Sequence, residues 1–141
     1  MKDGLDVVTD VRSLINIQAI TGLIDGKIWS NQRLNNSTKT DIVVNCNSIS
    51  NTAIQIGFGN VNIYVPALII ASGNGGTQQY PDYAKMNTIC KAVTPYLDTQ
   101  FKATFRTEIE ESGNVYQDTD GTWFINIGFK YYSMQTNYKN I

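Results

Sequence analysis

Residues 101–134 alternate between polar and apolar positions with a period of two. Over 101–111, Phe101, Ala103, Phe105, Thr107 and Ile109 fall on one side, and Lys102, Thr104, Arg106, Glu108 and Glu110 on the other. Over 122–134, Trp123, Ile125, Ile127, Phe129 and Tyr131 alternate with Phe124, Asn126, Gly128, Lys130 and Tyr132. Successive β side chains point to opposite faces, so each run predicts a strand whose apolar face needs a covering layer. The polar stretch 112–121 between them contains Asp120-Gly121, and glycine tolerates the positive φ of hairpin turns. The expectation is an antiparallel hairpin whose projecting tip carries Asn114, Val115, Tyr116 and Asp118.

Two other regions have helical spacing. In residues 5–20, Val7, Val8, Val11, Leu14, Ile15 and Ala19 line one side, Asp3 and Asp6 suit the positive end of a helix dipole, and Gly22 is a stop. Further on, Tyr83, Met86, Ile89, Cys90, Val93 and Leu97 repeat as on a helix whose first position suits Pro81. Pro95 lacks the N–H its turn would use, so this helix is expected to end or kink near Val93. Strands are expected at 27–33, after the turn Asp25-Gly26, and at 41–49, with a polar loop at 34–40. The unbroken Ile42-Val43-Val44 fits a strand covered on both sides.

Residues 52–66 change phase. Ile54, Ile56 and Phe58 are at even positions and Val61, Ile63 and Val65 at odd ones, which predicts a bulge near Gly59; Pro66 ends the pairing. Residues 71–79, including Ser72, Gly73, Asn74, Gly75, Gly76 and Thr77, read as a flexible connection. The sum is a single α+β domain over residues 1–141, of order α-β-β-β-α-β-β. It has a mostly antiparallel sheet of about five strands with two helices packed on one face.

Composition narrows the chemistry. With 42% hydrophobic and 16% charged residues the chain is globular, and 141 residues suffice for a core. A net charge of −1 gives no dominant basic surface for nucleic acid. The absence of histidine removes the commonest general base and metal ligand. Cys46 and Cys90 have no CxxC context and read as free thiols. Asp118 and Asp120 lack the later ligands of a calcium loop, and Glu108 and Glu110 read as a solvated strand face. The glycines of 71–79 lack the lysine of a phosphate-binding loop. The apolar run 65–71 is too short to cross a membrane, and residues 1–6 have no signal-peptide character. No catalytic, metal or cofactor-binding residue is expected, and no cofactor.

The strand pair Asp41-Ile42-Val43-Val44-Asn45 and Gly59-Asn60-Val61-Asn62-Ile63-Tyr64-Val65-Pro66, followed by a loose loop, a helix and a closing hairpin, resembles the tail-terminator and tail-completion (neck ring) proteins of bacteriophages. The resemblance spans nearly the whole chain as an order of elements. It implies a non-enzymatic virion protein of the tail or neck, assembled in the host cytoplasm. Such a protein forms a homo-oligomeric ring, six-fold, or twelve-fold in the portal vertex of a short-tailed phage. The ring stops tail-tube polymerisation and meets the tail tube and the neck, connector or portal-ring proteins. DNA passes through its lumen without sequence-specific contact, and no membrane is involved. Contact residues are then expected among Ser72, Gly73, Asn74, Gly75, Gly76 and Thr77, in the tip at Asn114, Val115, Tyr116 and Asp118, and among Tyr131, Tyr132 and Tyr138. These last aromatics either dock on a partner or pack on their own subunit. The alternative is a small ligand-binding or regulatory α+β domain without catalytic activity.

Overall fold

The computed structural model describes residues 1–135. Helix α1 (Gly4–Ile15) begins at a capping box, in which the Asp3 side chain accepts from the Asp6 N–H and the Asp6 side chain from the Asp3 N–H. These bonds satisfy two N–H groups that the first turn would leave unpaired. The helix buries Val7, Val8, Val11, Leu14 and Ile15. It stops short of the expected residue 20 because Ile17 is extended (φ −131°, ψ 156°), and α2 (Gln18–Thr21) restarts at an angle that buries Ile20.

Among the described residues, eight strands follow the helical start, with one further helix among them. They are β1 (Ile28–Ser30), β2 (Asp41–Ile49), β3 (Ile54–Val65), β4 (Leu68–Ala71), β5 (Thr77–Tyr80), β6 (Gln100–Phe101), β7 (Arg106–Gln117) and β8 (Trp123–Met134), with α3 (Tyr83–Leu97) before β6. Six of them form one sheet of order β1-β2-β3-β8-β7-β6, antiparallel except for the parallel pair β1 and β2. The other two, β4 and β5, pair only with each other. All three helices cover one face, where their apolar residues meet Ile42, Val44, Val61, Ile63, Ile125, Ile127, Phe129 and Tyr131 in a single core. The α+β class, the mostly antiparallel sheet and the helices on one face agree with the sequence. The strand count and the order are finer than expected, through β4, β5, β6 and α2.

Three expectations need correction. Strand β3 has no bulge: Gln55, Gly57, Gly59, Val61, Ile63 and Val65 all face the helices, and Ile54, Ile56 and Phe58 face the other way. The apparent phase change arises because the first half of the core face is built from glycine and glutamine. Gly59 is small because a Cβ there would overlap the Asn45 carbonyl oxygen and the Phe129 ring. Gln55, 1% exposed, has its amide satisfied: Nε2 donates to the Lys2 and Ser50 carbonyls (both 2.9 Å), and Oε1 accepts from the Lys2 N–H (2.8 Å). The irregularities lie elsewhere, between Cys46 and Ser48 in β2 and at two places in β7.

The second correction concerns 101–121. Residues 102–105 form a turn between β6 and β7, closed by the Lys102 N–H donating to the Phe105 carbonyl. Strand β7 then continues to Gln117, so Asn114, Val115 and Tyr116 are paired with Asn126, Ile125 and Phe124 and are not loop residues. Two bulges, one with Gly113 at φ 91°, absorb the extra residues that made this stretch look like a loop. The tip is short, from Asp118 to Thr122, and is a hairpin turn as Asp120-Gly121 indicates. Thirdly, α3 runs through Pro95 to Leu97, which is fully buried; burial holds the last turn despite the missing N–H.

Candidate functional site

Strands β4 and β5 project as an arm from the end of the sheet where β3 closes at Val65. All four residues of each strand are exposed. Ile69 is 71% exposed, and Leu68, Ile70 and Tyr80 are each more than 40% exposed. An isolated two-stranded ribbon is at best marginal in water. The arm is held at its base, where the Tyr80 ring meets Tyr83 of α3 edge-on at 5.4 Å and Ile69 and Gln79 border a small pocket with Val65 and Trp123. Its turn is closed by the Ser72 N–H donating to the Gly76 carbonyl (2.9 Å), and Gly75 takes φ 77°. The predicted contact residues Ser72, Gly73, Asn74, Gly75 and Gly76 form that turn, and Thr77 opens β5. The flexible connection of the sequence reading is therefore largely a built hairpin.

At the opposite end of the sheet lies a groove of about 750 Å³. Its walls include Ile54, Gln55, Phe101, Phe105, Tyr132 and Met134. Ile54, Phe101 and Met134 are 55%, 68% and 72% exposed. Periodicity missed this surface, because Ile54 and Phe101 were both assigned to core faces.

The sheet face away from the helices is a third surface. Across its middle, Asn126 Nδ2 donates to Oδ1 of Asn60 (2.9 Å) and Asn62 (2.7 Å), and Asn60 Nδ2 donates to Oδ1 of Asn45 (3.2 Å) and Asn47 (3.3 Å). Aromatic rings flank this amide belt. Toward the arm, Phe124 lies between Tyr64 and Tyr116 (centroids 5.0 and 5.8 Å), and the Arg33 guanidinium stands 4.1 Å over the Tyr64 ring. Toward the groove, Arg106 covers the Tyr132 ring at 4.2 Å, and Lys130 sits 5.4 Å from it and 5.7 Å from Phe58. The belt itself is uncharged and offers amide hydrogen bonds, not proton transfer.

One buried carboxylate fixes the edge of that face. Asp41 Oδ1 accepts from the Lys27 N–H and the Trp29 indole (both 2.9 Å), and Oδ2 from Ser37 (2.6 Å) and Arg33 (3.3 Å). The loop joining β1 to β2 is thereby held across the face, and Val43, 4% exposed, is covered on the side away from the helices. Burial acts to raise the Asp41 pKa, but the Ser37, Lys27, Trp29 and Arg33 contacts together outweigh it and bring the carboxyl below its usual range. Burial, followed by its hydrogen bond to Asp118 (2.9 Å), pushes the Tyr64 phenol up to about 12.

The remaining predicted residues divide. Tyr131 is fully buried, stacked on Phe105 at 5.4 Å, and donates to Asp10 Oδ2, so it packs in the core of its own subunit, the second of its two readings. Burial, then the Asp10 carboxylate, raises its pKa. Tyr132 faces the open side and donates to Glu108 Oε1 (2.9 Å). Tyr116 is 49% exposed, Asn114 is exposed, Val115 packs against the core, and Asp118 holds Tyr64. Tyr138 lies outside the described residues. Both cysteines are free thiols. Among the described residues, no group of three or more Cys, Asp or Glu is placed to hold a metal ion, and no helix is long and apolar enough to cross a membrane. In comparisons with known proteins, no family model matches the chain, and no curated protein sequence matches it.

Proposed function

We propose that this chain is a structural protein of a phage virion, one subunit of a homo-oligomeric ring at the tail top or head–tail junction. The ring ends tail-tube growth and joins the tube to the neck or portal. The observation that carries this reading is the β4–β5 arm, whose Leu68, Ile69, Ile70 and Tyr80 side chains stay exposed among the described residues. Exposed apolar patches of this kind mark association surfaces. The resemblance in element order gives the ring its place in the virion. The near-neutral charge suits a lumen through which DNA slides without being held.

Light scattering over a range of concentrations, with particle images of the larger species, tests the proposal. A closed species of six or twelve subunits is expected. Deleting Gly73 to Gly76 shortens the arm tip and should leave the subunit folded but impair assembly. Intact virions made with that deletion would remove the arm tip from the interface.

A further inference from the structure

We infer that the arm of one copy seats in the groove of the next, making a head-to-tail contact. This rests on the ring reading above and names the surfaces that would build it. Three observations place a second copy in the groove. The first is separation. Arm and groove lie at opposite ends of the same strands, since Val65 pairs with Trp123 at the arm end and Ile54 with Met134 at the groove end. A strand of twelve residues spans roughly 40 Å, while arm strands of four residues reach roughly 13 Å. The arm cannot fold back into its own groove.

The second observation is area. Aromatic side chains bury roughly 200 Å² each, and the same figure serves as an upper value for Leu, Ile and Met. Alternation puts Leu68, Ile70 and Tyr80 on one face of the arm and Ile69 on the other, toward its own subunit, so the first face and Ile54, Phe101 and Met134 of the groove together offer roughly 650 Å² of apolar surface at their exposures. Apolar atoms make up about three-fifths of an interface, so the complete contact would bury roughly 1,100 Å², just above the roughly 1,000 Å² that marks a biological interface.

The third observation is charge. Residues 67–81 contain no charged side chain, so the arm brings no ion of its own into the groove, whose cations Lys2, Lys102 and Arg106 include one already paired with Asp10 and one stacked on Tyr132. Its Gln78 can meet the groove's polar rim at Lys2, Thr104 and Gln135. A contact between two different patches repeats at every subunit. It closes into a ring when the rotation permits, which an isologous dimer contact does not do.

The test uses Ile70→Glu on the arm and Ile54→Glu in the groove, both at exposed positions so that folding is retained, with circular dichroism as the control. Each variant alone should remain a monomer at concentrations where the unaltered protein assembles. Mixed, they should form a one-to-one dimer and nothing larger, because each supplies the half the other lacks. If the unaltered protein and both variants all assemble, the ring reading stands and the arm–groove contact is overturned. If the unaltered protein is monomeric at every concentration, the homo-oligomer reading fails and this contact with it. A mixture that dimerises only when both chains are shortened to end at Gln135 also overturns it, and gives the groove to residues 136–141 of the same chain.

Discussion

The β4–β5 and β7–β8 hairpins use the same backbone pairing and have opposite fates. In β8, residues of modest local hydrophobicity alternate, and Ile125, Ile127, Phe129 and Tyr131 are each at most 5% exposed. In β4, Leu68-Ile69-Ile70 is a denser apolar run, yet every residue is exposed. Density of apolar residues does not decide burial. A layer on the other side does, and α1, α2 and α3 supply one for β8 and none for β4. The β7–β8 hairpin contributes to the subunit's core, while the β4–β5 hairpin keeps its apolar side chains exposed.

Substitutions can break this comparison. Phe129→Ala removes a fully buried ring and should cost about 3–5 kcal/mol of subunit stability, read from urea unfolding. Little change would mean the β8 face is not the core. Gly59→Ala forces a methyl against Phe129 and should cost about 1–3 kcal/mol by overpacking. Gly73→Ala, with nothing within 4 Å of the added carbon, is its neutral control.

Asp41→Asn probes the loop that crosses the open face. The folded-state pKa of Asp41 lies below its ordinary value, so its carboxylate stabilises the fold above the unfolded pKa, near 4. That contribution is lost as pH falls through the lower folded value. The substitution should cost about 1–3 kcal/mol at pH 7, with the difference from the unaltered protein shrinking below pH 4. A difference that stays constant down to pH 2 would argue that the carboxylate's charge plays no part. Ile69→Ala should change subunit stability by no more than about 0.5 kcal/mol. A loss of several kcal/mol, measured on monomer, would place the arm in the core after all.

The legible parts of the sequence were those where side-chain identity and burial agree. The β8 alternation, the α1 and α3 stripes and the polar loop at 34–40 belong to this group. The phase of β3 was misread because Gly57 and Gly59 occupy core positions where the space for a side chain is taken by neighbours. Gln55 is polar but has its amide satisfied by Lys2 and Ser50. Periodicity counts apolar side chains and is blind to both cases. The tip of β7 was misread because two bulges break alternation without ending the strand. The glycine turn at 72–76 is visible in the composition, while the strands that carry it read as loop on one side and as an apolar run on the other. Alternation places Tyr131 on the apolar face of β8 but leaves open whether it docks on a partner or packs on its own subunit, because its polar tip gives no sign of the Asp10 partner that lets it be buried.

By itself, then, the sequence determined the class, α+β with helices on one face of a mostly antiparallel sheet, because amphipathic period is a local property that each element carries alone. Only the tertiary structure decided which apolar surfaces remain uncovered. That outcome depends on whether a second element arrives from a distant part of the chain. Among the described residues, three helices arrive over β8 and β3, and none arrives over the arm or the groove.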